Sequence, residues 1–175
     1  VKEGAAWTDH WSFLRPEKKT HPTKRIEDTI DDFVKKNLPD HKLAERASKE
    51  TLIRRATLDL TGLPPTPDEV DAFLEDTSTK AYEKLIDRLL RSPRYGQRMA
   101  IDWLDAARYG DTSVYHADGP RDMWAWRDAI VDAFNLNMPF DEFSINQLAG
   151  DLIPNANVPQ QLLAGFYRNN GTTDE

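Results

Sequence analysis

The chain has 175 residues, 39% hydrophobic and 30% charged, a balance too apolar for disorder and long enough for one domain with its own core. Its formal net charge of −7 argues against a nucleic-acid groove, which needs a cationic excess to displace counterions from phosphates. Cysteine is absent, which excludes disulfides, thiolate metal ligands and a covalently attached c-type haem within these residues, and no apolar run approaches the roughly 20 residues of a membrane span.

Residues 1–24 hold "WTDHWSFLRP" and then a polar stretch broken by Pro16 and Pro22, and read as an extended arm. Lys18, Lys19, Lys24 and Arg25 form a local basic run, best taken as a solvated segment. Trp7, Trp11 and Phe13 are too apolar to stand free and are expected to pack against helices or another domain. Residues 25–175 are expected to form a single helical domain. From Ile26 the apolar positions Ile30, Phe33, Val34 and Leu38 follow helical spacing until Pro39. A second helix is predicted from about Lys49 to Leu60, with Ser48 as N-cap, Gly62 as stop, and Leu52, Ile53, Ala56 and Leu60 facing inward.

In "TGLPPTPDEVDAFL", Thr66 caps a helix, Pro67 fills its first position without losing a needed N–H, and Glu69 completes a capping box. "TKAYEKLIDRLLRS" supplies the stripe Tyr82, Leu85, Ile86, Leu89 and Leu90. Ser92 and Pro93 open a helix running to about Arg108, and another spans about Met123 to Phe134. Pro139 and Pro159 mark two further starts, with Phe143, Leu148, Leu162, Leu163 and Phe166 as expected core. No segment reads as a strand and no solenoid repeat is present. The fold class is therefore all-α, a compact array of about seven or eight short helices.

One connection is richer than the rest. "ARYGDTSVYHADGPRDMWAWRDA" gathers Tyr109, Tyr115, His116, Trp124 and Trp126 with four aspartates and three arginines. Its Asp111-to-Asp122 spacing resembles a calcium loop, but Tyr115, His116 and Asp122 stand where a small oxygen ligand, glycine and glutamate belong, so no metal site is assigned. His116 titrates near neutrality in an ordinary setting and, with Asp111 and Asp118, forms the candidate acid–base set. Nothing in the spacing selects the carboxylate pair a glycosidase requires. The third reading is a cross-linked loop, with aspartates paired to arginines and rings pinning it to the helices. Tyr109, Tyr115, Arg121, Trp124, Trp126 and Arg127 are then the candidate ligand- or partner-binding residues. Positions 124 and 126 lie about 200° apart on a helix, so one tryptophan should face the core and the other outward.

The order of motifs carries more than any one of them. "HWSF", "RRATLDLTGLPPTPDEVDAFL", "YEKLIDRLLRSPRYGQRMAIDWLDAARYGDT", "DMWAWRDAIVDAFNLNMPFDEFSINQLAGDLIPNA" and "AGFYRNN" together resemble the planctomycete secreted cytochrome-associated family, domain of unknown function 1549. The resemblance covers nearly the whole chain, and "LDLTGLPPTP" and "MPFDEFSINQLAGDLIP" are its most specific parts. It implies a secreted or periplasmic module of a multidomain protein, truncated here at the C-terminus relative to the family. Any c-type haem would then sit elsewhere in the full-length protein, with no cofactor within this fragment. The partners implied are neighbouring domains of the same polypeptide and polysaccharide, not nucleic acid and not a membrane span. Three functional readings follow: a module whose assembly serves electron transfer or polysaccharide processing, a carbohydrate hydrolase or lyase with acids in 102–122, and a non-catalytic glycan- or partner-binding module.

Overall fold

The computed structural model describes residues 10–15, 26–38, 44–113 and 118–171. Among these are eight α-helices and, outside the helices, one isolated antiparallel bridge, Thr112 to Pro120. The all-α reading holds.

The chain divides into two units, Val1–Arg46 and Ala47–Glu175. The first contains a 3₁₀ turn, Trp11–Phe13, and helix α1, Ile26–Asn37. Phe13 is exposed, as are Ile30, Phe33 and Leu38 on α1 and just after it. Trp7 and the side chain of Trp11 lie outside the described residues.

The second unit is built from helices whose ends are written locally. Helix α2, Lys49–Thr61, begins where the Ser48 hydroxyl accepts from Thr51 N–H, and stops at Gly62, whose φ of 74° is the left-handed conformation that glycine adopts freely. Helix α3, Pro67–Glu75, carries the full capping box: Thr66 accepts from Glu69 N–H, and the Glu69 carboxylate accepts from Thr66 N–H at 2.8 Å. That carboxylate also pairs with Arg88. Helix α4 is Ala81–Leu90, and α5, Pro93–Ala106, opens on Ser92 with Pro93 in its first turn. The remaining helices are α6, Trp124–Asn135, α7, Phe140–Ala149, and α8, Val158–Leu163, the last opened by a second capping box between Asn157 and Gln160.

Two apolar clusters hold the unit together. Ile53, Ala56, Phe73, Ala81, Leu85 and Leu89 join α2, α3 and α4. Ala100, Ala107, Met123, Trp126, Ala129, Ile130, Ala133, Phe143 and Leu163 join α5 through α8. Helix α2 also packs on α5, linking the two. Lys49 was not singled out by its sequence position, yet its ammonium donates to the carbonyls of Phe73, Leu74 and Asp76, so a cation closes the C-terminal end of α3.

Some stripes run wider than the cover above them. Leu90 and Leu148, both expected in the core, are 42% and 55% exposed, and Leu162 sits at the boundary. Helices α5 and α6 approach closely at Gly96. A Cβ there would overlap the Val131 carbonyl oxygen and the Asn135 amide, and the Gly96 N–H donates to Asn135 Oδ1 at 2.7 Å.

Candidate binding site

The ring- and charge-rich connection leaves α5 through Arg108, whose φ of 57° is left-handed and rare outside glycine. Beyond that kink the loop closes on itself. Arg121 N–H donates to the Asp111 carbonyl at 2.8 Å, and Ser113 N–H to the Gly119 carbonyl at 2.9 Å. Tyr115 and His116, both candidates from the sequence, lie outside the described residues.

Asp111 organises what is seen. One carboxylate oxygen accepts from Met123 N–H at 3.1 Å, just ahead of α6. The other accepts from the Tyr109 hydroxyl and stands 3.8 Å from Arg127. Tyr109 is thereby pinned between Asp111 and Trp126, on which its ring stacks at 6.1 Å and 24°. Burial first, and then the bond to Asp111, push the Tyr109 hydroxyl up to about 12 from an ordinary 10.0. The guanidinium of Arg127 lies 6.0 Å above the Tyr109 ring and bonds Asp128 at 2.9 Å. Among the described residues, Arg121 engages no carboxylate. It donates to the carbonyls of Gly110 at 3.1 Å and Asn170 at 2.8 Å, tying the loop to the end of the described chain. Asp118 is exposed on the far side of the bridge, with φ of 42°.

The two tryptophans part as their helical angle requires. Trp126 is 2% exposed, and its Nε1 donates to the Leu163 carbonyl at 3.0 Å. Trp124 is 54% exposed. It stands on the rim of a groove of about 560 Å³ between α6 and α8. Ala125, Ala129 and Ala133 face the groove from α6, with Leu136 and Met138 at one end and Pro159, Leu162 and Leu163 opposite. Asp128 and Asp132 are its charged lining residues. Around the α6–α7 corner a second hollow of about 340 Å³ is lined by Tyr95, Trp103, Phe134, Phe140 and Phe143, and shares Ala133 and Met138 with the first.

The structure thus splits the candidates. Tyr109, Asp111, Arg121, Trp126 and Arg127 meet in one internal cross-link, whereas Trp124 alone of the described set turns to the open groove. Asp128, Asp132, Leu136 and Leu162 were missed as site residues. Their signal was present in part: alanine at every fourth position of α6 marks a helix face made for close approach. Chemically, the groove offers an exposed indole, an apolar trench and acceptors without donors of positive charge. Among the described residues, no group of three or more His, Cys, Asp or Glu side chains converges as a metal site would.

Fold and site together define a small all-α module with an internally bonded loop and an open apolar groove lined by acids. The chain belongs to the PSCyt2 family, a protein family of unknown function (DUF1549), whose model matches residues 29–175. No curated protein and no solved structure matches it.

Proposed function

We propose that the chain is a non-catalytic docking module of an exported, multidomain cytochrome-associated protein, with electron transfer or polysaccharide processing carried by the rest of that assembly. The observation that carries this reading is the contrast at residues 109–128. The polar groups of Tyr109, Asp111, Arg121 and Arg127 bond inward, while Trp124 stays half exposed on a groove. A large ring left in water at the edge of an apolar trench is the usual anchor of an interface. Against the hydrolase reading, the Asp111 carboxylate already accepts from two donors, Met123 N–H and the Tyr109 hydroxyl, and faces Arg127, so it serves the loop rather than a free acid–base pair.

Small-angle scattering of the full-length protein tests the proposal. Trp124→Ala should loosen the packing of this module on its neighbours and raise the radius of gyration, with its own unfolding midpoint unchanged. An unaltered scattering curve would remove Trp124 from any docking role. The glycan reading is favoured by Trp124 beside Asp128 and Asp132, since sugar faces stack on indole and sugar hydroxyls donate to carboxylates. Calorimetric titration with neutral oligosaccharides decides it: heat that saturates in the wild type and disappears in Trp124→Ala supports glycan binding. Absence of heat in both removes it.

A further inference from the structure

The groove between α6 and α8 constrains its occupant in three ways. Its floor includes Ala129 and Ala133, one helical turn apart, so no side chain longer than a methyl group stands up from those two positions. Its rim exposes Trp124 and Leu136, at 54% and 76%. Its charged lining residues are both acids, Asp128 and Asp132. Asp128 is held by Arg127, whereas Asp132 has no ion-pair partner among the described residues.

The same sign extends past the groove. Between Arg127 and Arg168 the sequence contains no Lys, Arg or His, against five acids: Asp128, Asp132, Asp141, Glu142 and Asp151. The helices of this stretch also expose Phe140, Ile145, Leu148 and Val158. Apolar anchors set in a field of one sign repel anionic partners and attract a cationic one that has apolar residues to bury. Two carboxylates four residues apart on α6 are spaced to meet basic side chains four residues apart on a second helix lying along it.

We propose that this groove binds an amphipathic α-helix of a partner segment, with apolar anchors at helical spacing in the trench and Lys or Arg residues set against Asp128 and Asp132. This is the helix-in-groove mode, in which small residues on the receiving helix admit the incoming backbone and the rim sets its direction. The inference rests on the docking reading above and names the chemistry of the docked element. It excludes anionic lipid surfaces and acidic peptides as occupants, and a neutral glycan would leave the alanine-floored trench unmatched.

The test uses the 175-residue chain and three synthetic 18-residue peptides in calorimetric titration. One is a helix with leucine at i, i+3, i+4 and i+7 and lysine flanks. The second carries glutamate for lysine, and the third keeps the lysines but replaces leucine by serine. Only the leucine–lysine helix should bind. Its Kd should rise about tenfold with Asp128→Asn/Asp132→Asn, at least as much with Trp124→Ala, and further as salt is raised. Circular dichroism melts confirm that each variant is folded, and Asp132→Asn alone, at an exposed position, provides a second variant that leaves the core untouched. Equal binding of the leucine–lysine and serine–lysine peptides, binding of the glutamate helix, or indifference to both aspartate variants overturns the proposal. Loss of domain packing in full-length Trp124→Ala without peptide binding would leave the docking reading standing and overturn the helical, cationic occupant alone.

Discussion

At the scale of single residues, Asp111 is the joint on which the connection between α5 and α6 turns. Its carboxylate caps the entry to α6 through Met123 N–H, holds the Tyr109 hydroxyl and faces Arg127. Asp111→Ala leaves those donors without their acceptor and should cost about 1–2 kcal/mol, read as a lower urea midpoint. Tyr109 gives the loop a pH signature. Its hydroxyl is neutral in the fold and raised to about 12 from 10.0. Its contribution is thus complete below pH 10 and is lost as pH rises through about 12. Tyrosinate absorbance should show one late-titrating group that Tyr109→Phe removes. A wild-type titration with no component above the ordinary tyrosine range would count against the stacked, Asp111-bonded geometry.

The helices themselves are set by their ends and by where two of them touch. Thr66→Ala removes the hydroxyl acceptor of the α3 capping box and should cost on the order of 1 kcal/mol. Its partner Glu69 is held below the usual 4.5, first by Thr66 N–H, which outweighs the opposing effect of burial, and then by the bond and charge of Arg88. A carboxyl depressed in the fold stabilises above its unfolded value and ceases to do so as pH falls through the folded one. Wild type and Glu69→Ala should therefore differ most near neutrality and converge in acid when their urea midpoints are followed with pH. Gly96→Ala sets propensity against packing. Alanine favours a helix interior over glycine by about 1 kcal/mol, yet here its methyl would collide with the backbone oxygen of Val131 and with Asn135. Overpacking of this kind typically costs about 1–3 kcal/mol, so the variant should melt at a lower temperature than wild type. A higher melting temperature would mean that α5 and α6 do not cross as closely as described.

Over the whole unit, the two tryptophans of α6 differ in burial, and their substitutions should separate stability from the proposed docking. Trp126 is buried among Tyr109, Phe166 and the Leu163 carbonyl, and Trp126→Ala should cost about 3–5 kcal/mol in chemical denaturation. Trp124 makes the rim of the groove, and Trp124→Ala should stay within about 0.5 kcal/mol of wild type. Similar losses at both positions would place Trp124 in the core. The wider surface points the same way as Trp124. Leu136, Phe140, Leu152 and Val158 are each more than half exposed, and exposed apolar groups of this size accord with the docking role proposed above.

What the sequence by itself determined is everything decided within about one helical turn. Ser48, the Thr66–Pro67–Glu69 box, Ser92–Pro93 and the Gly62 stop all stand where the pattern placed them, because a cap bonds residues two to four positions away and needs no help from the rest of the chain. The opposition of Trp124 and Trp126 was equally legible, being a matter of helical angle. Which of the two lies inside was not. That depended on the Leu163 carbonyl, 37 residues further on, and on Phe166 and Tyr109 arriving around the same ring. Arg121 shows the same limit: charge suggested a carboxylate, but its guanidinium donates to the Asn170 carbonyl, 49 residues further on. Leu90 and Leu148 belong to true apolar stripes yet stay exposed, since a stripe records which residues share a face and not how much of that face a neighbour covers. The groove is the clearest case. Its acids and alanines lie on α6, but it becomes a site only when α8 is laid opposite, an arrangement fixed by long-range packing rather than by any local run of residues.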